Sequence, residues 1–426
     1  MRSDPGIARE SLYNQLNRLI VRPLLKSAIS TVIVIDALDE CKDEEPASAI
    51  LSVLGQFVSQ IPDVKFFLTG RPEPRILGGF RLPLLAPVTE VFVLHEVESS
   101  QVNRDILLFF RHAFSELATR RRLGGWPSEE QLGRLCERTA GLFVYAVATV
   151  KFVDHRNNNP EEQLDRLLRT PESSILEGKT KFSADKTLDS LYMSILRGAF
   201  GDDDPDDDCK VRSILGAVVL ASNPLSPSTI AELLGLDTRG EFPRLSSAHS
   251  LLILHEDVRQ PVQSFHRSFP DFILNPARCS DPRFHVSPTD HHTELLLGSL
   301  GVLDRKLERN MCGLPDAAVN SEIDDLKERT DKYIDQALQY ACRSWYTHLT
   351  ETIPDRKPDI TSALHRFLER KFLFWLEVLS VLGAAREAIN ALETVAQWLD
   401  VRPEIPSSFP KLTRLGQGVI NSQPCQ

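Results

Sequence analysis

Signatures of hydrolytic chemistry are missing from this chain. No GxSxG is present, and neither His95-Glu96 nor His255-Glu256 carries the second histidine of HExxH, so no esterase or zinc-protease activity is expected. Cysteine is sparse as well. The seven cysteines (41, 136, 209, 279, 312, 342 and 425) are odd in number, scattered and without a CxxC pair. This excludes the disulfide framework of a small secreted domain and predicts reduced thiols in a cytoplasmic setting. Long apolar runs are absent, since stretches such as Leu142 to Val150 fall far short of a bilayer span, and the opening Met1 to Gly6 lacks a signal-peptide core. No membrane partner is expected. Basic charge is also short, with 49 Lys and Arg against 59 Asp and Glu and a net charge of -10, which argues against a nucleic-acid partner because phosphate binding needs a basic footprint. The compact run Arg120-Arg121-Arg122 reads as a helix end or a solvated patch.

What is present is enough apolar material for about three globular units, with 42% hydrophobic residues over 426 positions. The first hundred residues alternate between helix and strand as a parallel α/β sheet does. Apolar residues at helical spacing predict a helix over 7–29, β-rich runs predict strands at 31–35, 64–69 and 91–94, and a helix is expected over 47–61. Beyond Gln101 the period becomes 3.6, predicting helices over 101–121, 128–138, 141–154 and 160–169. A third stretch carries helices at 188–200, 211–221 and 226–234, an acidic loop at 202–208, and a hairpin from 250–255 and 261–266; helices followed by a hairpin describe a winged helix. The remainder is helical at 294–309, 322–349, 361–383 and 384–399. The expected domains are therefore 1–100, an α/β core; 101–180, a helical subdomain; 185–290, a winged helix; 291–400, a C-terminal helical domain; and 401–426, a tail.

The chemistry concentrates at two strand ends. Val32-Ile33-Val34-Ile35 runs into Asp36, the Walker B arrangement in which a buried strand fixes a carboxylate that holds Mg²⁺ through water. Asp39 and Glu40 follow within a turn and are placed to orient a water against a γ-phosphate. Against this stands the plainer reading of an acidic strand end that caps the next helix. The second strand ends in Thr69-Gly70-Arg71-Pro72, at the carboxyl edge where open α/β sheets bind ligands. Arg71 suits a bidentate phosphate contact, though an isolated arginine after a strand is more often a surface ion-pair residue.

The glycine-rich turn GxxxxGK[ST], whose N–H groups cradle phosphates, does not precede the first strand. Either these residues lack it or it lies in an upstream reading frame. Ser173-Ser174-Ile175-Leu176-Glu177-Gly178-Lys179-Thr180 imitates it but follows Thr170-Pro171-Glu172 instead of a strand, and reads as a surface loop. Omitting three charge-assisted hydrogen bonds removes on the order of 5 kcal/mol. That corresponds to about four decades of affinity, so these residues alone are not expected to hold or hydrolyse ATP.

The strings Val34-Ile35-Asp36-Ala37-Leu38-Asp39-Glu40-Cys41 and Phe66-Phe67-Leu68-Thr69-Gly70-Arg71-Pro72-Glu73-Pro74 resemble the NACHT domain of fungal STAND-class NTPases. Ala140-Gly141-Leu142-Phe143-Val144-Tyr145-Ala146 is similar to the Gly-Leu-Pro-Leu-Ala element of the family's helical subdomain, with Phe143 in place of the adenine-contacting proline. Phe265-His266-Arg267-Ser268 resembles the Met-His-Asp element, with Arg267 in place of its Asp. The resemblance implies a partial P-loop NTPase core, then a helical subdomain, a winged helix and a C-terminal helical domain. It further implies an ATP/ADP-controlled, Mg²⁺-dependent signalling switch. Its site residues would be Asp36 for the metal, Asp39 and Glu40 for catalysis, and Thr69, Arg71 and His266 for the nucleotide; the plainer reading of His266 is a packed, hydrogen-bonded core histidine. Protein partners are implied, as a homo-oligomer or in hetero-assembly with full-length NACHT proteins. The alternative is a nucleotide-free helical and winged-helix scaffold for protein interactions.

Two metal readings are set aside. The acidic run Asp202 to Asp208 lacks the glycine and terminal glutamate of an EF-hand loop. Cys279, His285, His291 and His292 match no zinc-ligand spacing. The aromatic and leucine stripe from Phe367 to Leu382 reads as a helix-bundle core.

Overall fold

The computed structural model describes residues 7, 10–27, 30–41, 44–155, 159–169, 184–200, 205–237, 245–255, 257–315, 320–352 and 358–400. The chain divides into two compact units, Met1–Val97 and Glu98–Gln426. The loop 173–180 and the tail 401–426 lie outside the described residues.

In the first unit α1 (Leu12–Leu16), a π-helical turn (Asn17–Val21) and α2 (Arg22–Ser27) replace the single helix expected over 7–29. Pro23 has no N–H to give to the preceding turn and its ring crowds the carbonyl four residues back, which accounts for a wider turn just before it. β1 (Thr31–Ile35) and β2 (Val64–Leu68) pair in parallel, with α3 (Glu44–Phe57) crossing between them and α4 (Pro74–Phe80) following β2. The register sets Ile33 opposite Phe66 and Ile35 opposite Leu68. On this face Ile35 and Leu68 pack against a small core of Leu38, Leu51 and Ile76, and Ile33 and Phe66 against a second of Val21, Phe57 and Ile61.

The opposite face is bare. Val32, Val34 and Phe67 are 59%, 63% and 60% exposed, whereas parallel sheets normally bury both faces. The strand expected at 91–94 does not form. Val91, Phe92 and Val93 are irregular, and Leu94–Glu96 is a 3₁₀ turn. Local β propensity has meaning only against a neighbouring strand, and among the described residues β1 pairs with β2 alone in this sheet.

The second unit is helical. α5 (Ser99–Arg121), α6 (Glu129–Arg138), α7 (Phe143–Val153) and α8 (Pro160–Arg169) come first. Ser128 starts α6 with a complete capping box to Gln131. The basic run closes α5, where Arg120 pairs with Asp154 and Arg121 donates to the His155 carbonyl. Then follow α9 (Ala184–Phe200), α10 (Pro205–Leu220) and α11 (Pro227–Leu234), the last capped by Ser226. The acidic stretch is thus a helix start from Pro205 onward, and 202–204 lie outside the described residues. Proline at a first helical position loses nothing, since that N–H has no partner inside the helix.

β3 (Leu252–Ile253) and β4 (Gln263–Ser264) form a short antiparallel hairpin, extended by Phe265 N–H to the Leu251 carbonyl. The remaining helices are α12 (Ser268–Ile273), α13 (Pro288–Lys306), α14 (Leu326–Tyr333), α15 (Gln336–Thr350), α16 (Pro358–Arg370), α17 (Phe372–Val381) and α18 (Ala385–Asp400). The single helix expected over 322–349 is broken because Ile334 is extended and Asp335 caps a new start by accepting from Leu338 N–H. One apolar cluster runs from Ile106 to Trp398, and Phe367 and Trp375 of the aromatic stripe lie inside it. Close approach of α11 and α13 rests on Gly298, where a Cβ would sit 2.2 Å from the Leu233 carbonyl oxygen. Among the described residues no helix is long and apolar enough to cross a membrane.

Arginine clasps join α9 to the segment after α12. Arg278 holds Asp189 at 2.6 Å, and Asp281 takes Arg283 at 2.9 Å and Arg197 at 3.1 Å. Hydrogen bonds from Arg283, helped by Arg197, hold the Asp281 carboxyl well below the usual carboxylate range. A group depressed in this way contributes stability above its unfolded pKa, about 3.9, and that contribution is lost as pH falls through the folded value. Asp281→Asn should cost about 2 kcal/mol at neutral pH. In urea unfolding the gap to wild type should close as the pH is lowered below the ordinary carboxylate range.

Candidate functional site

The parallel register brings the carboxyl ends of β1 and β2 side by side. Ile35 accepts from Thr69 N–H at 3.0 Å, and Thr69 accepts in turn from Leu38 N–H at 2.9 Å. The Thr69 hydroxyl links both loops: it accepts from Ala37 N–H at 2.8 Å and donates to Asp36 Oδ1. Asp36 is exposed, and this is the hydrogen bond that orients it among the described residues. Ala37 sits in the left-handed region at φ 54° and ψ 52°, turning the chain sharply after the strand. An L-residue there is held at a cost, and its bond to Thr69 helps to hold it.

Asp39 is placed differently from Asp36. It is 4% exposed; its Oδ1 accepts from Arg71 N–H at 3.0 Å, and its Oδ2 lies 3.6 Å from Arg71 Nε. Arg75 adds a bond to the Asp39 carbonyl at 3.4 Å. Asp39 therefore ties the loop after β2 to the loop after β1, and the Arg71 guanidinium, half exposed, is its counter-charge. Glu40 is exposed beside them. Five of the six sequence-predicted site residues, Asp36, Asp39, Glu40, Thr69 and Arg71, thus gather at one end of one sheet.

The sixth, His266, belongs to the second unit, directly after β4. It is exposed, not packed into the core as the plainer reading expected. Its Nδ1 accepts from Ser268 N–H at 3.1 Å and meets Ser268 Oγ at 2.6 Å, which in turn meets Tyr192 OH at 2.7 Å. Phe269 and Phe272 beside it are buried and fix the position of the turn. Phe143 is 45% exposed at the start of α7.

The zinc set takes other roles. Cys279 is buried, and burial pushes its thiol up to about 11; His291 Nδ1 meets the Ser287 carbonyl, and His292 meets His348. Among the described residues no group of three metal-ligating side chains gathers. A water-coordinated Mg²⁺ does not need such a group, because it takes one or two carboxylates and the phosphates of its nucleotide, and the exposed, oriented Asp36 fits that demand. Sequence reasoning gave Asp39 and Glu40 the same role. Only the pairing of Asp39 with Arg71 across the two loops distinguishes them.

Thr69→Val removes the acceptor of Ala37 N–H and the donor to Asp36, and should destabilise the first unit by about 1 to 2 kcal/mol. Thr69→Ser should recover most of this in urea unfolding. A valine variant as stable as wild type would show that the bond carries no weight.

Comparison with known proteins adds two findings. The family model described as Nephrocystin 3, N-terminal, matches residues 1–71, which end at Arg71. The vegetative incompatibility protein HET-E-1 of Podospora anserina is 24% identical over 391 residues, covering 87% of this chain. The chain spans about a quarter of that relative's length, 27%. No solved structure matches. Together with the strand-end residues described above, these matches support a likeness to NACHT proteins.

Proposed function

We propose that the chain is part of a NACHT-type nucleotide-controlled signalling switch. Asp36 holds Mg²⁺ through water, and Thr69 and Arg71 face the phosphates of ATP or ADP. Because Asp39 is buried against Arg71, the water-orienting role falls to the exposed Glu40, while Asp39 positions Arg71. For His266, in the second unit, the nucleotide-sensing role is the one that the resemblance implies. The observation that carries this reading is the hydrogen bond from Thr69 to Asp36, which brings the two strand ends together.

Residues 1–426 contain no GxxxxGK[ST], so the phosphates lack their principal donors within this span. Calorimetry of the 426-residue chain against Mg-ATP and Mg-ADP should therefore give no micromolar binding. Micromolar binding abolished by Asp36→Asn would overturn that expectation.

A second reading, a nucleotide-free interaction scaffold, is favoured by the bare apolar face of Val32, Val34 and Phe67. Sizing with and without nucleotide separates the two. Assembly with itself or with longer NACHT proteins that depends on ATP or ADP supports the switch, and constant assembly supports the scaffold.

A further inference from the structure

Deep in the second unit, α13 and α15 meet through two imidazoles. His292 Nδ1 lies 2.8 Å from His348 Nδ1, with the rings 5.1 Å apart between centroids. His348 is 1% exposed. Its Nε2 meets Tyr340 OH at 2.6 Å, and that oxygen accepts from Ser222 N–H at 3.2 Å. Ser222 Oγ closes the group on Thr347 at 2.7 Å. No set of three His, Cys, Asp or Glu suited to a metal occurs among the described residues, so the two nitrogens face each other as partners in a hydrogen bond.

One assignment of tautomers satisfies these bonds. With its oxygen accepting from Ser222, the Tyr340 hydroxyl donates to His348 Nε2, and His348 Nδ1 then carries the proton given to His292 Nδ1. Each bond within the group then joins one donor to one acceptor, and the group is neutral. One added proton forces a rearrangement: a proton on His292 Nδ1 requires His348 to move its own to Nε2, and the Tyr340 hydroxyl loses that acceptor. A second proton places two N–H groups 2.8 Å apart with no lone pair between them, which no tautomer relieves.

We propose that His292 and His348 form a proton-operated clamp between α13 and α15, closed when the pair is neutral and released when both rings are charged.

The surroundings agree with this. Burial lowers the His292 pKa most, the neighbouring His291 lowers it further, and Glu351 at the end of α15 opposes both. Charged groups on the helices packed against α13 are engaged elsewhere: Glu294 accepts from Ser213, Glu232 pairs with Lys306, Arg343 donates to the Leu382 carbonyl, and Arg366 pairs with Asp304. A histidine whose folded pKa is lowered contributes stability above its unfolded pKa, about 6.5, and loses it as pH falls through that range, because the unfolded chain takes up the proton first.

The test is urea unfolding of the full chain at pH 7.5, 6.5 and 5.5, comparing wild type with His292→Gln, which keeps a hydrogen-bonding side chain that does not titrate. The ratio of the wild-type to the variant unfolding constant should rise as the pH falls, by up to about tenfold per pH unit for one proton. A ratio that stays constant overturns the proposal. Should the variant not fold, ring-nitrogen NMR of the unaltered protein decides: one imidazole of the pair staying neutral below pH 6 supports the clamp. Both titrating independently near 6.5 in the native state removes it.

Discussion

The parallel pairing of Thr31–Ile35 with Val64–Leu68 is the constraint on which the candidate site depends. It does more than build a sheet. By setting Ile35 opposite Leu68 it delivers Asp36 and Thr69 to the same edge, where one hydroxyl serves the carboxylate and the backbone of the next residue at once. A shift of one residue would turn the apolar side chains of one strand to the other face and separate that pair. The left-handed turn at Ala37 and the buried Asp39 then follow from the same edge. The chain leaves β1 steeply, and Asp39 reaches back to the backbone of Arg71.

Two carboxylates three residues apart thereby acquire different duties. Asp36 is exposed and oriented; Asp39 is enclosed and neutralised by its arginine. A buried carboxylate without such a partner would be costly, so Arg71 is held partly by the architecture it was expected to leave free for a ligand. On the sheet's other side, Val32, Val34 and Phe67 remain in contact with solvent. A two-stranded parallel sheet with one covered face is a small part of the arrangement such strands usually adopt.

Much of the architecture could be read from residue patterns. β1 and β2 declare themselves through β-branched and aromatic residues that stop at Asp36 and Gly70, and α6 and α11 through Ser128 and Ser226. The misreadings share a cause, which is that local preference was taken without its context. Residues 91–94 have strand composition but no neighbouring strand, Asp335 looked like an interior helical residue until its carboxylate capped a new start, and Pro205 opened a helix inside a run of acids. The strand-end residues of the site were legible as a group because motif spacing carries that information. Their individual roles were not, since burial of Asp39 and exposure of His266 depend on contacts distant in sequence. The His292 and His348 pair, 56 positions apart, leaves no trace in any local pattern.

Cysteine placement has a practical side. Cys136, Cys279, Cys312 and Cys342 are enclosed, and burial raises each of their thiols, which leaves little thiolate at neutral pH. Cys209, near the start of α10, is exposed. A maleimide fluorophore added under native conditions would find its most open target among the described residues there, beside Arg212, giving a spectroscopic handle on the helical unit without altering its interior.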